Sequence, residues 1–273
     1  MSAEGSDGWV HALPCAESRT KLPSELHRIA VARRLRLKLL HENAVCPCCG
    51  VGLDVYMDHA LVCVCGGDRA LRHNAIRDEL HASAREAGLA AEKEKPGLLP
   101  PRPGDETLNG ERLSLGRRPA DVWFPAGPGG PGGGPCAIDV AVSSGLKVDA
   151  IQRSAIDPAS VWGHYEEFKR HRASTEAQCR AQGLTFLPFA VEAHGGGLGP
   201  IARRVCAIVA KAASAKDGDE VDVQAAGLLR RISTSLQREN ARAVLRRLAA
   251  ASVPEPSPNP AAWAEPALVE AWQ

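Results

Sequence analysis

Apolar and polar positions recur along this chain with two periods. In residues 23–41 the apolar side chains Leu26, Ile29, Leu35 and Leu39 fall near a 3.6-residue spacing behind Ser24, a capping residue, which predicts an amphipathic helix. Residues 68–88 repeat the pattern with Leu71, Ile76, Leu80 and Ala84, between Asp68 as a cap and Gly88 as a stop. Residues 159–181, 201–215 and 221–251 read as three more helices. Short β-prone runs stand at 120–124, 136–142 and 184–191, with a weaker one around Glu92 and Glu94. Pro188 inside the 184–191 run assigns it to a sheet edge or a bulge. The segment 127–135 reads as a loose Gly/Pro loop, residues 1–20 as weakly ordered, and 253–273 as a disordered Pro-rich tail. The resulting order, α-β-β-β-α-β, predicts an α/β fold with a small central mixed sheet flanked by helices.

Two positions break the strand pattern. Asp121 and Asp139 each sit in a β-prone run where a half-buried strand otherwise carries a neutral side chain. Adjacent strands would bring the carboxylates together, and like charges so close repel unless a cation or a proton intervenes, which suggests a divalent metal. Metal-assisted hydrolysis of a phosphodiester needs carboxylates to hold the ion and a further cation for the developing charge. Lys169, on the helix after the second acidic strand, can supply that cation, and Tyr165 shares its helix face.

A second cluster lies upstream. Of nine cysteines, five crowd between Cys46 and Cys65. Cys46 and Cys49 have C-x2-C spacing with a glycine directly after, and His59 and Cys63 stand four apart on one face of a short helix. This spacing predicts a closed, structural tetrahedral zinc site, with Cys48 and Cys65 as competing ligands. Arg72, His73 and Asn74 fall in the first turns of the 68–88 helix, either as phosphate donors or as a solvated face.

Composition narrows the partners rather than the fold. The 273 residues are 44% hydrophobic but only 4% aromatic, so the core must be built from Leu, Val, Ala and Ile. A net charge of +1 does not announce a nucleic-acid partner, whereas the Arg-rich segment 228–247 is a local candidate to follow a phosphate backbone. No apolar run is long enough to span a bilayer, and the acidic start MSAEGSDGWV lacks a signal segment. The expectation is a nuclear or cytoplasmic chain, neither secreted nor membrane-bound, with no small-molecule organic cofactor.

The string RPAD, 17 residues, then D-V-A resembles the PD-(D/E)XK nuclease motif, with Ala141 where that motif normally has its lysine. A lysine displaced to the next helix in a Y-x-x-x-K context is a variation within that fold, and Tyr165–Lys169 fits it. The succession of cysteine cluster, RHN, RPAD and IDVAV resembles the restriction-endonuclease-like domain at the C-terminal end of some non-long-terminal-repeat retrotransposon reverse transcriptase polyproteins. The resemblance covers roughly residues 8–210. It implies a restriction-endonuclease-like core and a DNA endonuclease that nicks its target, with DNA as partner and RNA alongside it. Asp121 and Asp139 would then hold Mg²⁺ or Mn²⁺, Lys169 would be the migrated catalytic lysine and Tyr165 its helper. Cys46, Cys49, His59 and Cys63 would hold zinc, and Arg72, His73 and Asn74 would bind nucleic acid.

The expected partition is a linker-like tail and helix (1–43), a zinc knuckle (44–66), a nuclease-like domain (67–212), basic C-terminal helices (213–252) and the tail. Two other readings share these residues. One is a zinc-containing nucleic-acid-binding module without cleavage, given Ala141. The other is an RNase-H-like strand-transfer nuclease with Asp121, Asp139 and Glu192 as its acids.

Overall fold

The strand that carries Asp139, Cys136–Ser143, alternates between two buried faces, and the rest of the fold is arranged on either side of it. The structure is a computed structural model that describes residues 7–100, 119–125, 134–146, 150–157 and 159–250. The tail 253–273, and all of the 127–135 loop except residues 134 and 135, lie outside the described residues.

In chain order the elements are α1 (Ser24–Arg34), β1 (Ala44–Val45), β2 (Gly52–Leu53), α2 (His59–Val62), α3 (Asp68–Glu86), β3 (Glu92–Lys93), β4 (Val122–Phe124) and β5 (Cys136–Ser143). Then follow α4 (Ile151–Ile156), α5 (Ser160–His171), a short 3-10 turn, α6 (Thr175–Ala181), β6 (Thr185–Glu192), α7 (Pro200–Asp217) and α8 (Val221–Leu248). The larger sheet has the order β3-β4-β5-β6; the first two pairings are antiparallel and β5–β6 is parallel. The fold is therefore α/β with a small mixed sheet flanked by helices, as the periodicity predicts. Among the described residues β6 pairs with β5 on one side and has an isolated bridge, Val191 with Leu198, on the other, so Pro188 lies on an edge strand, where proline is tolerated.

One sheet face contributes Val122, Phe124, Ile138, Val140, Leu187, Phe189 and Val191 to the main core with α3, α7 and α8. The opposite face is covered by a cluster that includes Ala137, Phe186 and Cys179 and by Val161 and Trp162 of α5. Side chains two apart on a strand share a face, so Ala137, Asp139 and Ala141 all point toward the α5 side.

Several boundaries depart from the periodic reading. Helix α1 stops at Arg34, because Arg36 takes a left-handed φ of 55° and the amides of Leu39 and Leu40 turn to the Val55 carbonyl. The 159–181 helix is broken at Ser174, which has a φ of 54°. Residues 7–20 are not loose: Trp9 is buried, its amide donates to Ser233 Oγ, and Arg19 forms a fork onto Glu79 and Glu86.

The larger correction concerns the Arg-rich C-terminal helix. Helix α8 does not lie on the surface as a phosphate-following strip; it packs against α1, α2, α3 and α7, and Leu228, Ile232, Leu236, Asn240, Val244 and Arg247 are buried. Its composition misleads because some of its polar side chains serve the interior. No helix among the described residues is long and apolar enough to cross a membrane.

Candidate active site and metal centre

Strand pairing sets the acidic pair. Asp121 immediately precedes β4, its amide donates to the Ile138 carbonyl, and Val122 pairs with Ile138, so the Asp121 and Asp139 carboxylates lie against one another. Asp121 is held from two directions: the Val140 N–H donates to Oδ2 at 2.6 Å, and His73 Nε2 stands 3.1 Å from Oδ1. Asp139 meets Lys169 from α5, with Nζ 2.8 Å from Oδ2. Lys169 Nζ also lies 5.6 Å from the centre of the Tyr165 ring.

The two acids titrate in opposite directions. Burial pushes Asp139 up to about 6, against the pull of Lys169 and with a further push from Asp121. Burial also opposes ionisation of Asp121, but the His73 contact and the Val140 amide outweigh it and lower its pKa. Lys169 loses by burial and gains more from Asp139, so its pKa rises. An ionised pair of this kind needs a positive partner, and Lys169 supplies part of it.

Lys169 and His73, the partners of the two carboxylates, line a cleft of about 480 Å³ between α3, β5 and α5, together with Arg69, Arg72, Ala141 and Tyr165 among others. Ala141 is only 3% exposed and brings no charge to the cleft. The cation opposite Asp139 comes from α5 instead.

The RHN segment is only partly at this surface. Arg72 is 4% exposed; its guanidinium donates to Asn240 Oδ1 at 2.8 Å and to the Leu61 carbonyl at 2.6 Å. Those two donors are held in the packing of α3 against α8 and α2, while the residue also lines the cleft. His73 faces Asp121, and Asn74 is half-buried one position further along α3. Glu192 is set apart from the acidic pair. In the parallel register Asp139 pairs with Pro188, four residues before Glu192, or roughly 13 Å along the strand. The Glu192 carboxylate accepts from the His194 and Gly195 amides, while burial raises its pKa. His194 bridges Arg33 and Ser144 Oγ, and burial beside Arg33 and Arg72 drives its pKa down to about 3, so it stays neutral.

The cysteine cluster resolves into one group. The ligand atoms of Cys46, Cys49, His59 and Cys63 all lie within 4.8 Å of one another. Cys49 Sγ is 3.1 Å from His59 Nε2 and 3.7 Å from Cys63 Sγ. Tetrahedral zinc with Zn–S bonds of about 2.3 Å separates two sulfurs by about 3.8 Å, so the geometry and the Cys3His donor set both fit that ion. Cys48 is exposed and, like Cys65, outside the group. The C-x2-C turn orients its first ligand: burial resists a Cys46 thiolate, but the Cys48 and Cys49 amides outweigh it and lower its pKa.

Arg247 ties this group to the fold. It is fully buried, beside the Cys46 and Cys63 sulfurs, and donates to Asp68 Oδ2 at 2.5 Å and to the Ala243 carbonyl at 2.9 Å. Gly66 lets the chain pass, since its φ is +81° and a Cβ there would sit 3.3 Å from Cys48 Sγ. Asp68, read from sequence as a helix cap, is instead the anion for Arg247 and Arg246. No local pattern announces this pairing, whose members are 179 residues apart.

Fold and site together define a mixed α/β protein with a Cys3His group and a cleft whose lining lysine and histidine each contact one of two neighbouring carboxylates. The chain matches no protein-family model and no curated protein sequence.

Proposed function

We propose that this protein is a metal-dependent DNA endonuclease with a PD-(D/E)XK-type core, whose lysine has migrated from the strand to helix α5. The observation that carries this reading is the 2.8 Å contact between Lys169 Nζ and Asp139 Oδ2. It supplies the cation missing at Ala141, at the place where a phosphodiester hydrolase needs one. Asp121 and Asp139 would hold Mg²⁺ or Mn²⁺, which would activate water and polarise the scissile phosphate. Lys169, steadied by Tyr165, orients the nucleophile or neutralises charge gathering on the phosphate oxygens. His73 holds Asp121 in place, and Arg69 gives the opposite wall of the cleft a positive charge. The Cys3His group is the structural zinc of the reading, and the retrotransposon resemblance supports target-strand nicking as the reaction.

The test is incubation of zinc-loaded protein with supercoiled plasmid and Mg²⁺ or Mn²⁺, beside Asp139→Ala, Lys169→Ala and Glu192→Ala. The expected result is nicking by wild type and loss of nicking in the first two variants. Plasmid binding without nicking by wild type would favour the binding-module reading. Full activity of Lys169→Ala alongside an inactive Glu192→Ala would favour the acidic triad.

A further inference from the structure

Helix α5 carries more than the lysine. Of the four phenylalanines in the chain, Phe124, Phe186 and Phe189 are at most 5% exposed, whereas Phe168 is 47% exposed. A single exposed phenylalanine is ordinary on a protein surface. This one has an unusual setting. Tyr165, Phe168 and Lys169 of α5, and Arg172 one residue past its end, fall within roughly 100° of helix arc. The Phe168 and Tyr165 ring centres are 6.0 Å apart, and the Arg172 guanidinium lies 5.6 Å from the Phe168 ring centre. At the other end, Lys169 touches Asp139, and both Lys169 and Tyr165 line the cleft.

One face of α5 therefore runs from the acidic pair outward as Lys169, Tyr165, Phe168, Arg172, two neighbouring aromatic rings with a cation at each end. Phe168 is half in water with the partly buried Tyr165 beside it, and the cations next to the two rings match a polyanion. That pairing suits a nucleobase stacked between phosphates better than a peptide or a lipid, because every base has a π-face and every linkage a negative charge. A base inside an intact duplex has no free face to offer. We infer that this strip is a stacking platform for an unpaired nucleotide next to the scissile phosphate, so the preferred substrate is DNA with a single-stranded or splayed segment at the cut. This rests on the nuclease reading for the identity of the polymer, but its test separates the two.

The experiment uses the zinc-loaded full chain in Ca²⁺, to hold DNA without cutting it. Two probes are compared: a fluorescein-labelled single-stranded oligonucleotide containing a fluorescent adenine analogue, and the blunt duplex of the same sequence. Wild type is expected to bind the single strand more tightly and to quench the analogue. Phe168→Ala is expected to lose about tenfold or more of that affinity together with the quenching, while Phe168→Trp keeps both and duplex affinity stays within about twofold. Circular dichroism and melting of Phe168→Ala should match wild type, since the ring is half in water. Equal single-strand binding by Phe168→Ala, absence of quenching in wild type, or a wild-type preference for the duplex would each overturn the inference. Stacking without plasmid nicking would leave the platform standing and remove the nuclease. Nicking of plasmid by Phe168→Ala at the wild-type rate, with no single-strand preference, would do the reverse.

Discussion

Replacing Arg247 with methionine tests how the metal group, α3 and α8 are joined. The substitution keeps most of the side-chain volume and removes the charge. In the native protein the guanidinium is inaccessible to water and satisfies Asp68 Oδ2, the Ala243 carbonyl and, at 3.4 Å, the Cys65 carbonyl. Removing one partner of a buried ion pair costs about 3–5 kcal/mol, because the other charge stays behind without compensation. Here Arg246 also reaches Asp68 but is 44% exposed, so part of the compensation survives. The expected loss is roughly 2–4 kcal/mol, or roughly 5–12 °C in melting temperature for a domain of this size.

The assay is equilibrium urea unfolding with excess zinc in the buffer, which keeps metal loss out of the comparison. Asp68→Asn and the Asp68→Asn/Arg247→Met double variant complete a cycle. The double variant should be more stable than the two single losses added together, by about 2 kcal/mol, since no lone buried charge remains. A single-variant cost below about 1 kcal/mol, or simple additivity in the cycle, would refute the reasoning. A chelator-release measurement adds an independent readout: with the cation beside Cys46 and Cys63 gone, Arg247→Met should surrender zinc faster than wild type.

Four shorter expectations accompany this one. Cys63→Ser should lose about one bound zinc per chain by metal analysis and melt at a lower temperature, and a stable wild type purified without zinc would contradict the site. Mn²⁺ binding followed by spin resonance should weaken as pH falls through about 6, where Asp139 takes up its proton, and Lys169→Met should move that midpoint upward because Lys169 holds the Asp139 pKa down. In the metal-free protein the same shift makes stability fall as pH rises from about 4 to about 6, since the folded state retains a proton that the unfolded chain has released. His73→Ala should slow plasmid nicking about 10–100-fold at unchanged plasmid affinity if His73 positions Asp121; a loss of affinity alone would return it to the role of a DNA contact.

What could be read from sequence divides along a physical line. Periodicity reports which face of an element is buried, so the mixed sheet, the helices and the edge position of Pro188 were legible. The C-x2-C turn and the His59–Cys63 pair were legible because each half of the Cys3His group is local. Arg72 and Arg247 were not, because a basic residue in a helix gives the same pattern whether it faces solvent or a buried acceptor distant in sequence. Only tertiary contact decides, and it placed Arg72 on Asn240 and Arg247 on Asp68. The same distinction explains the lysine of the candidate site. Position 141 lies on the same strand face as Asp139, and an alanine there leaves the strand without a cation. Helix α5 packs over that face, and its Lys169 reaches across to Asp139 at 2.8 Å. The requirement is for a positive charge opposite the acidic pair, not for a residue at a given place in the chain. A fold that packs a helix against the strand can meet that requirement from either element.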